Sequence, residues 1–368
     1  MKLVVNLKLL AKPRHHRALL QTLEKANAAC NRVSQVAWEQ QTFGQFKLHK
    51  LAYYAIRQDF SLTAQAAVRC IAKVADAYKL DRKAQRNFKP HGSIAYDDRI
   101  LRYLKDDRVS IWTLEGRQTI PYACGPRQRE LLAFRQGESD LVYRDKTFYL
   151  NVVVDIEEPP LLVAEDVLGV DLGIVNILAD SDGQTYSGGT VNGLRKRHAK
   201  LRAKLQSKGT HSAKRLLQKR RRKESRFARD VNHCIARKVV LKAQRTNRAV
   251  ALEDLQGIRS RVRVRKSQRR QHHSWAFFQL RSFIQYKARL AGVPTVLVDP
   301  RNTSRTCPAC GLVDKANRVS QSWFSCVSCA FAGPADTIAA RNISVLGRAD
   351  VNLPDAPARV GPGASRLL

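Results

Sequence analysis

Acidic residues are scarce in this chain: 31 Asp and Glu stand against 66 Lys and Arg, a net charge of +35 over 368 residues. So large an excess of one sign repels itself in a compact fold unless a polyanion is present, so nucleic acid is the expected partner. Long hydrophobic runs are missing too. No stretch approaches the roughly 20 apolar residues of a membrane-spanning helix, and the start, Met1-Lys2-Leu3-Val4-Val5, is too short and interrupted for a secretory signal. No membrane partner is expected. A disulfide framework is also absent. Of eight cysteines, Cys30, Cys70, Cys124 and Cys234 are scattered, which fits a reducing compartment, and the expected location is cytoplasmic, with the nucleoid. Disorder of the chain as a whole is excluded by a hydrophobic content of 44%.

The apolar positions that are present carry clear periods. Residues 2–8 alternate as a strand does. Helical spacing then runs through Arg14–Gln40 (Leu19, Leu23, Ala26, Cys30, Val33, Ala37), Phe46–Asp59 and Leu62–Tyr78. Period-2 patterning returns at Val109-Ile111-Thr113. A hairpin is expected around Asp145-Lys146, and Glu157-Glu158-Pro159-Pro160 reads as a domain boundary. The first ~160 residues are therefore a β-rich body with a helical insertion. Beyond them come strands at Leu168–Leu172, Asn176–Asp180 and Gln184–Tyr186, then a long basic helical region. A strand at Arg248–Leu252, a helix at Trp275–Ala291, a strand at Pro294–Val298 and a helix from Asp336 complete the second half. That order predicts an α/β fold with a mixed sheet and resembles an RNase H-like layout. In such a layout the first strand, the fourth strand and the last helix each bring a carboxylate to one end of the sheet. The tail from Arg348, rich in Pro, Gly and Ala, reads as disordered.

Three carboxylates fall where a buried charge is costly. Asp171 sits in the apolar run Val167–Leu172, Glu253 ends Ala249–Leu252, and Asp336 opens the final helix. For one aspartate in a strand a satisfied structural role is the ordinary reading. Three of them between basic flanks read as a catalytic metal site. Hard oxygen ligands acting on nucleic acid imply Mg²⁺ or Mn²⁺, two ions hydrolysing a phosphodiester with Asp171 bridging. Asp254 would point to the opposite face, in a structural or solvent role.

Cys307-Pro308-Ala309-Cys310 and Cys326-Val327-Ser328-Cys329 are two CxxC knuckles with fifteen residues between them, the spacing of a four-cysteine zinc site. A full thiolate shell leaves no open position, so that Zn²⁺ is structural. Between Leu194 and Lys223 there are fourteen Lys or Arg and no acid, and a second run spans Arg259–Lys266. Arg195, Lys196, Arg197, Arg220, Arg221, Arg222, Arg261, Arg263 and Arg265 are the expected phosphate contacts. Trp275, Phe277 and Phe278 read as base-stacking or, better by their spacing, as helical core.

Taken together, Val170-Asp171-Leu172-Gly173, Leu252-Glu253-Asp254-Leu255, Asn302–Gly311, Phe324–Cys329 and Ala339-Ala340-Arg341-Asn342-Ile343 resemble the TnpB (OrfB) proteins of bacterial insertion sequences, relatives of type V CRISPR effectors. The likeness covers roughly Leu3 to Leu346. It implies an RNase H-like (RuvC) nuclease domain at 161–300 and 334–346, with Asp171, Glu253 and Asp336 as the catalytic, Mg²⁺-binding triad. It places a zinc ribbon at 301–333 held by Cys307, Cys310, Cys326 and Cys329. A β-barrel-like wedge domain at 1–10 and 88–160, a helical recognition insert at 11–87 and a tail at 347–368 complete the implied layout. The implied activity is RNA-guided DNA endonuclease, with a guide RNA from the transposon end and double- and single-stranded target DNA cut beside a short motif. A nuclease-deficient guide-directed repressor is the alternative, and a strand-joining transposase the third. The chain departs from the family at Ala330, usually Gly, and at Ile338, usually Asn.

Overall fold

The computed structural model describes residues 1–254 and 277–351, and these divide into two compact units, Met1–Glu157 and the rest from Glu158. The division falls three residues before the end of the expected double-proline boundary.

The first unit comprises β1 (Lys2–Leu9), α1 (Pro13–Glu39), α2 (Gln45–Phe60), α3 (Ala64–Leu80), β2 (Ile94–Tyr96), β3 (Leu101–Leu104), β4 (Arg108–Thr113) and β5 (Gly116–Ala123). A short α4 (Pro126–Leu132), β6 (Arg135–Arg144) and β7 (Thr147–Asp155) complete it. Proline at its first turn starts α1, and the stripe Leu19, Leu23, Ala26, Cys30, Val33, Ala37 is buried throughout. The seven strands form one antiparallel sheet in the order β2-β6-β7-β1-β5-β4-β3. A bulge between Arg135 and Ser139, with Gly137 at φ +70°, bends β6, and the sheet curls until its far strands nearly meet. Tyr103 on β3 hydrogen-bonds Ser139 on β6 at 2.8 Å, and the Arg135 guanidinium lies over the Tyr103 ring. The β6–β7 hairpin turns on Asp145 and Lys146, both at positive φ as a two-residue primed turn requires. Helices and sheet share one continuous core running from Leu19 and Val74 to Ile111 and Phe148.

The second unit has β8 (Asp166–Asp171), β9 (Asn176–Asp180), β10 (Thr185–Ser187), α5 (Gly189–Lys208), α6 (His211–Arg220), α7 (Lys223–Arg245), β11 (Arg248–Glu253), α8 (Phe277–Leu290) and β12 (Thr295–Val298). The small pair β13 (Trp323–Ser325) and β14 (Ala332–Pro334) and the last helix α9 (Ala335–Val351) follow. Sheet order is β10-β9-β8-β11-β12: an antiparallel meander of three strands, then two parallel additions. Alternate residues bury on opposite faces. Leu168, Val170, Val250 and Leu252 pack with α7 and α8, whereas Val167, Ala249 and Ala251 pack with α9. Small residues let α9 lie close to the sheet. A Cβ on Gly169 would collide with the backbone of Ala340 and Ser344, and one on Gly347 would meet Ala251. Ser344 Oγ also donates to the Val167 carbonyl at 2.6 Å. Contacts pairing 169 with 340–344 and 167 with 347 make α9 run antiparallel to β8, so its first turn lies at the carboxyl end of that strand.

α9 continues to Val351, past the helix end expected at 346, and Arg348 is helical and paired with Asp166 at 2.7 Å rather than part of a loose tail. The strands β2 and β3 and the helix α4 were not expected. Phe278, read as core by its spacing, is 59% exposed, and its ring carries the Arg281 guanidinium. No described helix is long and apolar enough to cross a membrane. Trp275, the run Arg259–Lys266 with Arg261, Arg263 and Arg265, and the tail beyond 351 lie outside the described residues.

Candidate active site and zinc cluster

Asp171 is the last residue of β8 and Glu253 the last of β11. The parallel register, Leu252 against Val170, sets these two carboxylates side by side at the carboxyl edge of the sheet. Asp336 enters from the first turn of α9, where the helix N-terminus favours a negative charge. The three expected carboxylates are thus brought to one edge. Their proximity is felt electrostatically: burial, then the charges of Glu253 and Asp336, push the Asp171 carboxyl up to about 8. Burial also raises Glu253, against the lowering effect of a hydrogen bond from Thr303. Asp254 pairs with the buried Arg281 at 2.7 Å, the structural one of the two roles expected of it.

Three further residues complete the site. Asn176, at the start of β9, donates its amide to Asp336 Oδ2 at 2.9 Å. Thr303 Oγ1 donates to Glu253 Oε1 at 2.6 Å, with both side chains buried. Arg318, from the loop between the two cysteine knuckles, lies 3.7 Å from Asp336 Oδ1, and its charge eases Asp171 downward. Ile338 takes no part: it is buried with Cys307, Phe324, Cys326 and Ala335 in the small core under the cysteines. Asp336 therefore receives its amide from Asn176 on the neighbouring strand. Thr303 lies within a stretch that the sequence singled out, while Arg318 and Asn176 carry no local signal.

The sulfurs of Cys307, Cys310, Cys326 and Cys329 all lie within 4.8 Å of one another, with Cys307–Cys329 and Cys310–Cys326 each at 3.6 Å. Tetrahedral Zn–S bonds of ~2.3 Å put sulfurs about 3.8 Å apart, so the quartet is sized for zinc. Among the described residues it is the one set of three or more candidate ligands so tightly gathered; the carboxylates are more open. Each knuckle closes with the same turn. Gly311 N donates to Cys307 O and Ala330 N to Cys326 O, at 2.9 and 3.1 Å. Gly311 has φ +76° and Ala330 φ +58°, so the unusual alanine sits in a left-handed conformation that glycine would adopt freely.

The basic residues divide. Arg195 is mostly buried, its side chain 14% exposed, and pairs with Glu224 at 3.6 Å. It ties α5 to α7 instead of facing a polyanion. Lys196, Arg197, Arg221 and Arg222 are exposed and Arg220 is half-buried. Arg220, Arg221, Arg222 and Arg202 line a cleft of about 470 Å³ between α5, α6 and the start of α7.

Two family models match the chain: "Probable transposase" (OrfB_IS605) over residues 151–274 and "Cas12f1-like, TNB domain" over residues 277–343. Among curated proteins, it is 28% identical over 232 residues to the CRISPR-associated endodeoxyribonuclease Cas12f1 of Sulfoacidibacillus thermotolerans, covering 58% of this chain and 54% of that protein. It is 32% identical over 149 residues to the TnpB-like protein MJ0751 of Methanocaldococcus jannaschii, covering 40% and 52%. It is 28% identical over 223 residues to "Putative RNA-guided DNA endonuclease InsQ" of Escherichia coli (strain K12), covering 55% and 54%. The matches span about half the length of these relatives. A Cas12f1-sgRNA-target DNA complex solved by cryo-EM contains a similar fold, with TM-score 0.61 at 14% identity over 90% of this chain and 83% of that one.

Proposed function

We propose, from the premise that this chain belongs to the TnpB (OrfB) family, that it is an RNA-guided DNA endonuclease of an insertion sequence. The observation that carries the reading is the meeting of Asp171, Glu253 and Asp336 at one sheet edge in a chain of net charge +35. The second unit is then an RNase H-like (RuvC) nuclease domain. Its sheet order, with the strand that comes first in the chain lying between the second and the fourth, and its last helix delivering Asp336 support this. The first unit corresponds to the wedge, its nearly closed sheet carrying α1–α3 as the recognition insert.

The donor set fits hard divalent cations. All three ligands are carboxylate oxygens, and burial, followed by the charges of Glu253 and Asp336, pushes Asp171 toward holding a proton, a cost that a bound cation would offset. Asp171, Glu253 and Asp336 would together hold the divalent cation that such a donor set selects. Mg²⁺ is the expected metal, with Mn²⁺ able to replace it; bound there it would activate water and stabilise the leaving 3′-oxygen. The chain's own residues supply the rest. Asn176 and Thr303 orient the two flanking carboxylates, and Arg318 offers a guanidinium to a phosphate drawn in beside Asp336. The cysteine quartet, with zinc, braces the loop from which Arg318 reaches. Arg220–Arg222 and the exposed Lys196 and Arg197 hold nucleic-acid backbone by charge, which gives affinity without sequence choice. Sequence choice then falls to a guide RNA from the element's end, with a short motif beside the target.

The test is to purify the protein with its co-expressed flanking RNA, sequence what remains bound, and offer a guide-matched plasmid library with Mg²⁺ beside an Asp171→Ala control. Cutting that requires the matched guide and disappears in the control supports the endonuclease. Guide-directed binding without cutting would replace it with the repressor, and retention of no discrete RNA would overturn the guided reading.

A further inference from the structure

We propose that Thr303 is a positioning residue for Glu253, and that Asn342 locks its loop to the helix that carries Asp336, so that cation affinity at the acidic site depends on the Thr303 hydroxyl. The inference rests on the acidic edge being a cation site, as proposed above.

Glu253 reaches the sheet edge on a side chain with three rotatable bonds, so the strand's backbone alone leaves more than one rotamer open to it. Thr303 makes that choice. A hydroxyl has a single proton, and its acceptors here are Glu253 Oε1 at 2.6 Å and the Pro300 carbonyl at 3.2 Å. The nearer partner is also the charged one, at the length of a charge-assisted bond. Both side chains are buried, so no water competes for the proton.

Thr303 lies on the irregular segment between β12 and the first cysteine knuckle, which has no sheet or helix to hold it. The segment is held instead by amides. Asn342, 7% exposed on α9, donates both its protons, to the Thr303 and Thr306 carbonyls at 2.8 Å each. Asn317, fully buried between the knuckles, donates to the Arg305 carbonyl at 2.9 Å and to the Leu312 carbonyl at 3.1 Å. Asn302 turns the chain at φ +64°, and the amides of Arg305 and Thr306 fold back onto its carbonyl. Asn342 is six residues beyond Asp336 on the same helix. One rigid element thus carries one flanking carboxylate and, through two hydrogen bonds, positions the hydroxyl that orients the other. The spacing between Glu253 and Asp336 is thereby set without contact between them. Cys307 follows Thr306 directly, so the zinc cluster anchors the far end of the same segment.

The experiment measures Mn²⁺ binding by electron paramagnetic resonance and calorimetry on the full-length, zinc-loaded protein, with zinc content and melting temperature recorded for every variant. Thr303→Val keeps the shape and removes the hydroxyl; it is expected to weaken Mn²⁺ binding about 10–100-fold with zinc retained. Thr303→Ser restores the proton donor and is expected to bind close to the unsubstituted protein. Asn342→Ala leaves the hydroxyl in place but frees the loop, and is expected to weaken binding in the same direction. Should the valine variant not fold, Thr303→Ala is read in its place. Unchanged Mn²⁺ affinity in a folded, zinc-loaded variant lacking the hydroxyl would overturn the proposal, as would failure of serine to restore it. Mn²⁺ binding that depends on Thr303 in a protein that cuts no guided target would leave this inference standing and remove the nuclease reading. Guided cutting with binding indifferent to Thr303 would do the reverse.

Discussion

The two ligand clusters of the second unit are built on opposite principles. The cysteine quartet is assembled from residues 307 to 329, two local knuckles whose tight turns aim the sulfurs. The acidic cluster draws on residues 171, 253 and 336, which meet only once β8 and β11 have paired and α9 has packed across them. Soft thiolates gather within 4.8 Å, whereas the carboxylates stand further apart and repel. A short closed shell suits a structural ion, and an open, strained edge suits chemistry on a substrate.

The sharpest way to break this contrast is Asp171→Asn. Guided cleavage is expected to fall by at least ~10³-fold, read by plasmid linearisation. Stability should move the other way. The carboxyl titrates near 8 in the folded chain and near 3.8 when unfolded, so the native state loses stability as pH rises from about 4 toward 8. Removing the charge should therefore raise the melting temperature of the Mg²⁺-free protein at pH 8 by several degrees, on the order of a few kcal/mol, with the gain vanishing near pH 4. A variant that melts no higher at pH 8 would show that burial and the neighbouring charges do not strain the Asp171 carboxylate.

Cys326→Ser attacks the other cluster. Zinc content should drop, Phe324 and Ile338 should lose their cover, and proteolysis should begin between 307 and 335 while the first unit stays intact. Loss of cleavage is expected as well, because Arg318 and the Thr303 loop are braced by this module. Normal cleavage by a zinc-free variant would separate the two clusters entirely.

A milder probe is Asp182, an aspartate to which the protein supplies its cations. Arg248 binds it through two bonds of 2.8 and 2.7 Å and Lys242 at 2.7 Å, holding its carboxyl well below the usual range. Asp182→Asn should cost about 1 kcal/mol or less at pH 7, since the group is partly exposed. The cost should shrink as the pH falls below about 4, because a depressed carboxyl stabilises only while ionised. Denaturant midpoints across that range check the sign, opposite to that of Asp171.

The smallest expected effect sharpens the zinc knuckles. Ala330→Gly should relieve the left-handed backbone and slow chelator extraction of zinc, worth about 0.5–1 kcal/mol. Gly311→Ala should cost a similar amount, since nothing lies within 4 Å of the added Cβ and the backbone angle alone resists it. Equal extraction rates would show that the turn angle does not govern zinc retention.

Helices α1 to α3 were legible within two residues at each end, and β9 to the residue, because long stripes and short apolar runs declare their period. The three-residue β2 and four-residue β3 were not. They are too short for a period, and their strand character comes from the partners they pair with, β6 and β4. The first half of β6, Arg135–Glu138, is exposed and carries no apolar signal before the bulge.

What the sequence by itself determined is the chemistry available: a heavy positive charge, four thiols at zinc spacing, and three acids in apolar settings that stand out because burying them is costly. Ala330 and Ile338 were visible as departures, but only the folded chain shows one as a strained turn and the other as core, with Asn176 serving Asp336 across 160 residues. Arg195 looked like its basic neighbours until packing between α5 and α7 turned it inward. The roles of Arg318, Thr303 and Asn342 were decided by tertiary structure alone. A hydrogen bond or ion pair between distant residues depends on which surfaces the sheet and helices bring together, and no local pattern records that.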